Sequence, residues 1–211
     1  ASTYALTGTM IENRPGSEST SINRILLQAP GVMQDGSGQL RVRQSHGDLQ
    51  YRINDVILPE GVSDLGESLS ARIVQSVKLV TGALPAQYGF QAGGIVNITA
   101  KSGAYLNGAQ TEVYGGGRGD IEPAFEYGTN IGATSMFMSG SFQRKAVGLS
   151  SPDGSVNPNH DHSDEMTGFA YLDHIVDDNA RVSAILGLSD ERFQIPNFRG
   201  LKAASVTGAE T

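Results

Sequence analysis

The chain has no cysteine and no tryptophan among its 211 residues. Without cysteine it can carry neither a disulfide framework nor a thiolate zinc site. It has no apolar run near the roughly 20 residues that a membrane-crossing helix requires. It also lacks a basic run and any interleaving of basic and aromatic residues, and its formal net charge of −7 would repel a phosphate backbone, so nucleic acid is not expected as a partner. No basic stretch followed by an apolar one opens the chain at Ala1, so no export leader is visible there. What the chain does have is glycine, 27 residues of it, interspersed with short alternating apolar stretches. This composition favours strands joined by tight turns.

Catalytic constellations are equally sparse. Ser45, His46 and Asp48 lie within one turn, whereas a nucleophile, its base and the group that orients them normally come from separate segments. No nucleophile elbow, cysteine nucleophile or zinc-protease helix occurs. Gly115-Gly116-Gly117-Arg118-Gly119 precedes neither Lys-Ser nor Lys-Thr and is no phosphate loop. An enzyme is not expected, and no cofactor is implied. His160-Asp161-His162 has a spacing that brings two imidazoles toward one metal, which makes His160 and His162 weak metal candidates without a third fixed ligand. Arg118-Gly119-Asp120 spells an adhesion tripeptide but reads more simply as a hairpin tip. Asn97-Ile98-Thr99 matches a glycosylation sequon inside what reads as a strand.

The most organised stretch runs from Ile73 to Lys101. Val74, Val77, Leu79 and Val80 surround Gln75, Ser76 and Lys78 as in a strand with one buried face, and Thr81-Gly82 stops it. Small residues and glycines follow, including Tyr88-Gly89 and Gly93-Gly94, before Ile95 to Thr99 resumes as a second strand. Upstream, Ile22, Ile25, Leu26 and Ala29 fall at helical spacing behind cap candidates in Ser17 to Ser21, with Pro30-Gly31 as a stop. The Asn54-Asp55 pair fits a kink or tight turn.

Together these motifs resemble the plug domain of TonB-dependent outer-membrane receptors. The family pattern V-E-x-I-E-V-x-R-G-P, L-Y-G, G-G-V-I-N-I-x-T-K is similar to Val74, Val77, Leu79, Gly82, Tyr88-Gly89, Gly93-Gly94-Ile95-Val96-Asn97-Ile98 and Lys101. Leu26 to Val32 resembles its L-x-x-x-P-G-V, Leu40 to Arg43 its R-x-R-G strand with Gln44-Ser45-His46 where the glycine normally follows, Tyr51 to Gly61 its Y-x-I-D-G-V-x-x-P-x-G strand, and Ala1 to Thr7 its short first strand. Gln75, Lys78 and Thr81 stand where the family carries two glutamates and an arginine, charges that in many members lock the plug to the barrel wall.

After Gly103 the pattern becomes repeated alternation. Met136, Met138, Gly140 and Phe142 share one face, opposite Ser135, Phe137, Ser139, Ser141 and Gln143; Val182, Ala184, Leu186 and Leu188 lie opposite Arg181, Ser183, Ile185, Gly187 and Ser189. Such faces suit a transmembrane β-barrel, and a soluble sandwich alternates in the same way; the plug-like motif before them decides for the barrel. Five strands are expected near 109–117, 122–132, 135–148, 165–177 and 180–193, with short turns near Gly132 to Thr134 and Asp177 to Asn179 and long segments at Leu149 to Asp164 and after Glu191.

The expected fold is thus an α+β plug, a small mixed sheet with helices, over 1–103, followed over 104–211 by antiparallel transmembrane β-barrel strands. Five strands cannot close, so the chain is expected to be the N-terminal part of a plugged barrel of about 22 strands. The resemblance implies a receptor in the outer membrane of a Gram-negative bacterium that binds a scarce extracellular solute, commonly a ferric siderophore or similar metal chelate. It further implies import into the periplasm by plug rearrangement, with TonB and its inner-membrane energising complex as partners through a segment upstream of Ala1, and with outer-membrane lipid around the strands. The rival reading is a surface binding, adhesion or signalling receptor without transport. By motif position, Arg43, Gln44, Ser45, His46, Asp48, Pro59 and Glu60 are the candidate ligand contacts on outward plug loops, and Gly82, Tyr88, Gly89, Gly93, Gly94 and Asn97 the structural plug motif.

Overall fold

The computed structural model describes residues 2–14, 17–35, 40–42, 49–58, 69–82, 93–146 and 161–196. The chain divides into two compact units, Ala1–Tyr105 and Leu106–Thr211.

The first unit is built on a five-stranded mixed sheet. Its strands are β1 (Ser2–Thr7), β4 (Leu49–Ile53), β5 (Val56–Ile57), β6 (Val74–Thr81) and β7 (Gly94–Ala100), in the order β1-β6-β7-β4-β5. Every neighbouring pair is antiparallel except β4 with β7. Two short helices, α1 (Gly8–Glu12) and α2 (Ile22–Leu26), and a two-stranded ladder of β2 (Val32–Gln34) with β3 (Leu40–Val42) complete it.

The local chemistry explains each element. Ser21 caps α2, its hydroxyl accepting from the Arg24 N–H, as Thr7 caps α1 by accepting from Met10. The helix ends at Leu26, one turn before the expected Ala29, because the bonds tighten there: the Gln28 and Ala29 N–H groups reach back to Ile25 and Leu26. Gly31 then takes a positive φ of 78°. All four residues picked out by their helical spacing, Ile22, Ile25, Leu26 and Ala29, are buried. Asn54 and Asp55 both adopt left-handed backbone, φ 49° and 67°, giving the tight turn between β4 and β5 that Asn and Asp tolerate best.

One face of the sheet forms the core with α1 and α2. The register sets Leu6, Val77, Ile98 and Ile53 in one row and Tyr4, Leu79, Val96 and Tyr51 in the next. Tyr51 buries its ring and gives its hydroxyl proton to Asn23 Oδ1 on α2 at 2.6 Å, so the ring is packed without an unsatisfied polar tip.

The second unit is an antiparallel meander of five strands: β8 (Gly108–Gly115), β9 (Ile121–Ile131), β10 (Thr134–Lys145), β11 (Ser163–Asp177) and β12 (Ala180–Phe193), each paired with the next. The expected strand positions agree with these to within a few residues. Strand β8 stops at Gly115 rather than 117 because Gly117–Gly119 form a 3₁₀ turn, with φ 82° at Gly119. Strand β10 ends at Lys145 rather than 148, where the Ala146 N–H turns to Asp120 Oδ1 at 3.4 Å. That contact also ties the aspartate of the Arg118-Gly119-Asp120 tripeptide into the turn, in keeping with a hairpin tip.

Candidate functional site

Three loop-bearing ends of the first sheet converge. Leu49 at the start of β4 is paired with Gly94 at the start of β7, which is paired with Thr81 at the end of β6, itself paired with Ser2 of β1. Leu58, just past β5, returns to the same end, its N–H bonding Tyr51 O at 3.0 Å. The described roots of two segments holding the candidate ligand contacts, Leu49 after 43–48 and Leu58 before 59–60, therefore share one end of the sheet with Gly82 and Gly93, which bound the structural-motif segment 83–92. Arg43, Gln44, Ser45, His46, Asp48, Pro59, Glu60, Tyr88 and Gly89 themselves lie outside the described residues.

The described part of the motif has clear physical duties. Gly82 takes φ 86°, a left-handed conformation that ends β6 where glycine pays no side-chain clash. Gly94 lies in the core row beneath Leu49 and Thr81; a Cβ there would come within 3.0 Å of the Val80 carbonyl oxygen and 3.1 Å of Leu49 Cδ2. Gly93, next to it, is buried. Asn97 sits mid-strand on the opposite face, between Lys78 and Arg52. We expect Gly94→Val to cost about 1–3 kcal/mol by overpacking against backbone that cannot retreat, read as a lowered yield of protease-resistant receptor; an unchanged yield would contradict a close-packing role.

Of the three positions where the family's charges are replaced, Gln75 is half-buried, Lys78 is exposed and Thr81 is buried. A different ionic group, invisible in the motif, lies inside the unit. Glu18 accepts from Lys101 Nζ at 2.5 Å through Oε1 and from Arg72 Nη1 at 3.3 Å through Oε2. These side chains are only 10 %, 4 % and 3 % exposed for Glu18, Lys101 and Arg72. The Ser70 hydroxyl donates to Glu18 O at 2.8 Å, and the Lys101 N–H to Ile73 O at 2.7 Å. The triad thus fastens the turn Ser17–Ser19 to the entry of β6 and the exit of β7, at the end of the sheet opposite the converging loops.

In the second unit the register sorts side chains onto two unlike faces. One carries Val113, Phe125, Tyr127, Ile131, Met138, Leu172, Val182, Leu186 and Leu188. Leu186 is 70 % exposed and Ile131 73 %. An exposed apolar face opposite a polar one is the pattern of lipid-facing barrel strands. Gly140 belongs to it, and its missing Cβ leaves room for the Phe125 ring opposite, 2.5 Å from where that carbon would stand.

The other face is a polar ladder around buried aromatics. Phe137 and Phe169 tilt against each other at 6.4 Å between centroids, with Tyr171 beside them. Gln143 Nε2 donates to Glu122 at 2.8 Å, Ser141 and Thr167 share a 2.8 Å hydroxyl contact, and Asp173 Oδ1 accepts from Arg181 Nε at 2.5 Å and Ser183 Oγ at 2.7 Å. Each pair spans neighbouring strands or the tight turn joining β11 to β12, so buried acceptors are satisfied across the ladder. Gly128 on this face lets the backbone of Leu106 cross over it; a Cβ there would overlap the Leu106 carbonyl.

His162 is exposed, and its backbone is bracketed by Gln194: the His162 N–H donates to Gln194 Oε1 at 3.2 Å and the Gln194 N–H to His162 O at 2.8 Å. His160 lies outside the described residues. Among the described residues no group of three or more potential ligand side chains gathers to hold a metal ion, and no helix is long and apolar enough to cross a membrane.

This combination of a helix-backed mixed sheet and a two-faced antiparallel meander is a fold shared with solved structures of outer-membrane receptors and transporters. No protein-family model and no curated protein matches the chain. Solved structures do. The siderophore receptor PirA from Acinetobacter baumannii aligns over 92% of this chain and 32% of its own, with 14% identity and a TM-score of 0.66. The FrpB iron transporter from Neisseria meningitidis aligns over 91% and 32%, with 12% identity and a TM-score of 0.68. The copper transporter OprC aligns over 90% and 30%, with 14% identity and a TM-score of 0.66. The chain thus spans about a third of the length of these solved structures.

Proposed function

We propose that this chain is the plug and first barrel strands, 1–103 and 104–211, of an outer-membrane receptor. On this reading the receptor captures a scarce extracellular metal chelate, of the ferric siderophore kind, and imports it into the periplasm. The observation that supports the reading is that the roots of the two candidate ligand loops, Leu49 and Leu58, and of the structural-motif loop, Thr81 and Gly94, share one end of the first sheet. The iron, siderophore and copper assignments of the proteins that share the fold support the solute class.

The chemistry is binding and release, with no bond made or broken in the solute. Arg43, Gln44, Ser45, His46, Asp48, Pro59 and Glu60 supply the plug's share of the contact, a mixed set of one guanidinium, two carboxylates, an imidazole, an amide and a hydroxyl suited to a polar chelate. Gly82, Gly93 and Gly94 bound the loop that carries Tyr88 and Gly89, and Asn97 stands in the strand that follows. Work delivered by TonB, pulling on a segment upstream of this chain and energised from the inner membrane, shifts the plug between a sealed and an open state. The apolar face of the second unit lies in lipid: from Ile121 to Ile131, at about 3.3 Å per residue and a tilt near 40°, β9 spans roughly 25 Å, the height of an outer-membrane apolar band. Its short turns at 132–133 and 178–179 then face the periplasm and the long segments the exterior. His160 and His162 belong to one of those exterior segments, where they are candidates to touch a metal-bearing solute.

The test is uptake of radiolabelled iron chelates by cells bearing the full-length receptor, with and without TonB. Accumulation that stops when TonB is removed supports import. Binding without accumulation in both strains overturns it and leaves a surface binding or signalling receptor.

A further inference from the structure

On β10, β11 and β12 the apolar face of the second unit gives way to charge over two register rows. Moving toward the long segments, Gly140, Gly168 and Leu188 are followed by Phe142, Met166 and Asp190, and then by Arg144, Asp164 and Arg192, each set aligned across β10, β11 and β12. The side chains of Arg144, Asp164, Arg192 and Asp190 are 54 %, 36 %, 81 % and 49 % exposed. These are charges on the same outward face as Leu186: Asp190 shares the row of Phe142 and Met166, and Arg144, Asp164 and Arg192 form the next row, level with Ile121 at the edge of the apolar face.

Their geometry holds two guanidinium groups ready. Arg144 gives Nε and Nη2 to the two oxygens of Asp164 at 2.8 and 3.1 Å, a bidentate pairing that fixes the plane of the fork and turns Nη1 away from it. It lies 5.8 Å over the Phe142 ring, with its charge at the top edge of the apolar band. Arg192 gives Nε to Asp190 at 3.0 Å, and among the described residues its two terminal amino groups are left to an outside acceptor. In a bilayer the groups at this depth are headgroup esters and phosphates, and a guanidinium fork fits the tetrahedral oxygens of a phosphate better than any other acceptor there.

We propose that the row Arg144, Asp164, Arg192 with Asp190 is a binding site for the phosphate of an outer-leaflet lipid headgroup, with the arginines as donors and the aspartates holding them in place. The proposal rests on the membrane reading of the apolar face.

The test uses the full-length receptor in detergent, offered dioleoyl phosphatidic acid or dioleoylglycerol, with retained lipid counted by native mass spectrometry. Phosphatidic acid should be retained in preference to dioleoylglycerol, and R144Q/R192Q should lower its retention by about fivefold per arginine removed. Asp190→Asn, which releases Arg192 Nε, should raise retention. Equal retention of the two lipids, or of phosphatidic acid by wild type and R144Q/R192Q, overturns the proposal; should the double variant not fold, Asp190→Asn decides alone, with unchanged retention as the contrary result. Heat-modifiable mobility of the wild-type receptor, a barrel property, is recorded alongside: its absence sinks the membrane reading itself, whereas its presence with equal retention sinks only the lipid site.

Discussion

Glu18→Gln should loosen the first unit by about 3–5 kcal/mol, because it leaves Arg72 and Lys101 charged and buried with their shared carboxylate gone. The glutamine fills the same space and keeps an acceptor oxygen, so the cost is electrostatic. Hydrogen exchange on the full-length receptor reads it directly. Amides of Ile73, Ile98 and Ala100, around the fastened corner, should exchange about two orders of magnitude faster or more. The companion variant E18L/R72M/K101M removes the whole group at similar volume and should come out close to wild type, since a buried ionic group often stabilises no more than a packed apolar one. Loss of protection in both variants would instead assign the corner's stability to the ions themselves, and loss in neither would mean that the triad is already solvated.

Leu186→Arg should destabilise the membrane-inserted receptor by about 2–4 kcal/mol, while Ser189→Arg should cost about 1 kcal/mol or less. The two positions lie three residues apart on β12, so they share strand, edge and local propensity, but an odd spacing puts them on opposite faces. Leu186 pairs with Ala170, which pairs with Met138, in the middle of the apolar face. Ser189 pairs with Thr167 on the polar ladder. Urea titration of heat-modifiable mobility in lipid vesicles gives both values on one scale. Equal costs would deny that the two faces meet different solvents.

What the sequence made legible follows from the range of each signal. The five strands of the second unit are visible because alternation with a period of two repeats over 8–15 residues, and each turn is marked by Gly, Asn or Asp. The same alternation correctly assigned Phe137 and Ile185 to the polar side despite their chemistry. In the first unit Ile22, Ile25, Leu26 and Ala29 announced a helix. Helix α1, five residues long, and β2, three residues long, are too short for any period to emerge, and β3 was legible at Leu40 to Arg43 only through its motif.

The ionic triad had no signal at all. Glu18 is separated by 54 residues from Arg72 and by 83 from Lys101, and only the closure of the sheet brings them together. Lys101 was noticed merely as the end of a motif, and its burial gives that position a physical reason. The close approaches at Gly94 and Gly128 are of two kinds. Gly94 belonged to a recognisable pattern, whereas Gly128 in a run of Tyr, Gly and Thr gave no hint that another backbone crosses it. The candidate ligand contacts were placed by motif alone; the sheet adds that their roots share one end.

The account stands or falls on the two faces of the second unit. The chain has no native cysteine, so single cysteines can be placed one at a time from Val182 to Ser189 in a full-length receptor in which any cysteine outside this chain is replaced by serine, and labelled in whole cells or vesicles. A membrane-impermeant, water-soluble maleimide and a lipid-dissolved one should then label in strict alternation: Val182, Ala184, Leu186 and Leu188 by the lipid-dissolved reagent, and Ser183, Ile185, Gly187 and Ser189 not by it. Uniform labelling of both sets by the water-soluble reagent would contradict a membrane-spanning strand, and with it the reading of this chain as part of an outer-membrane importer.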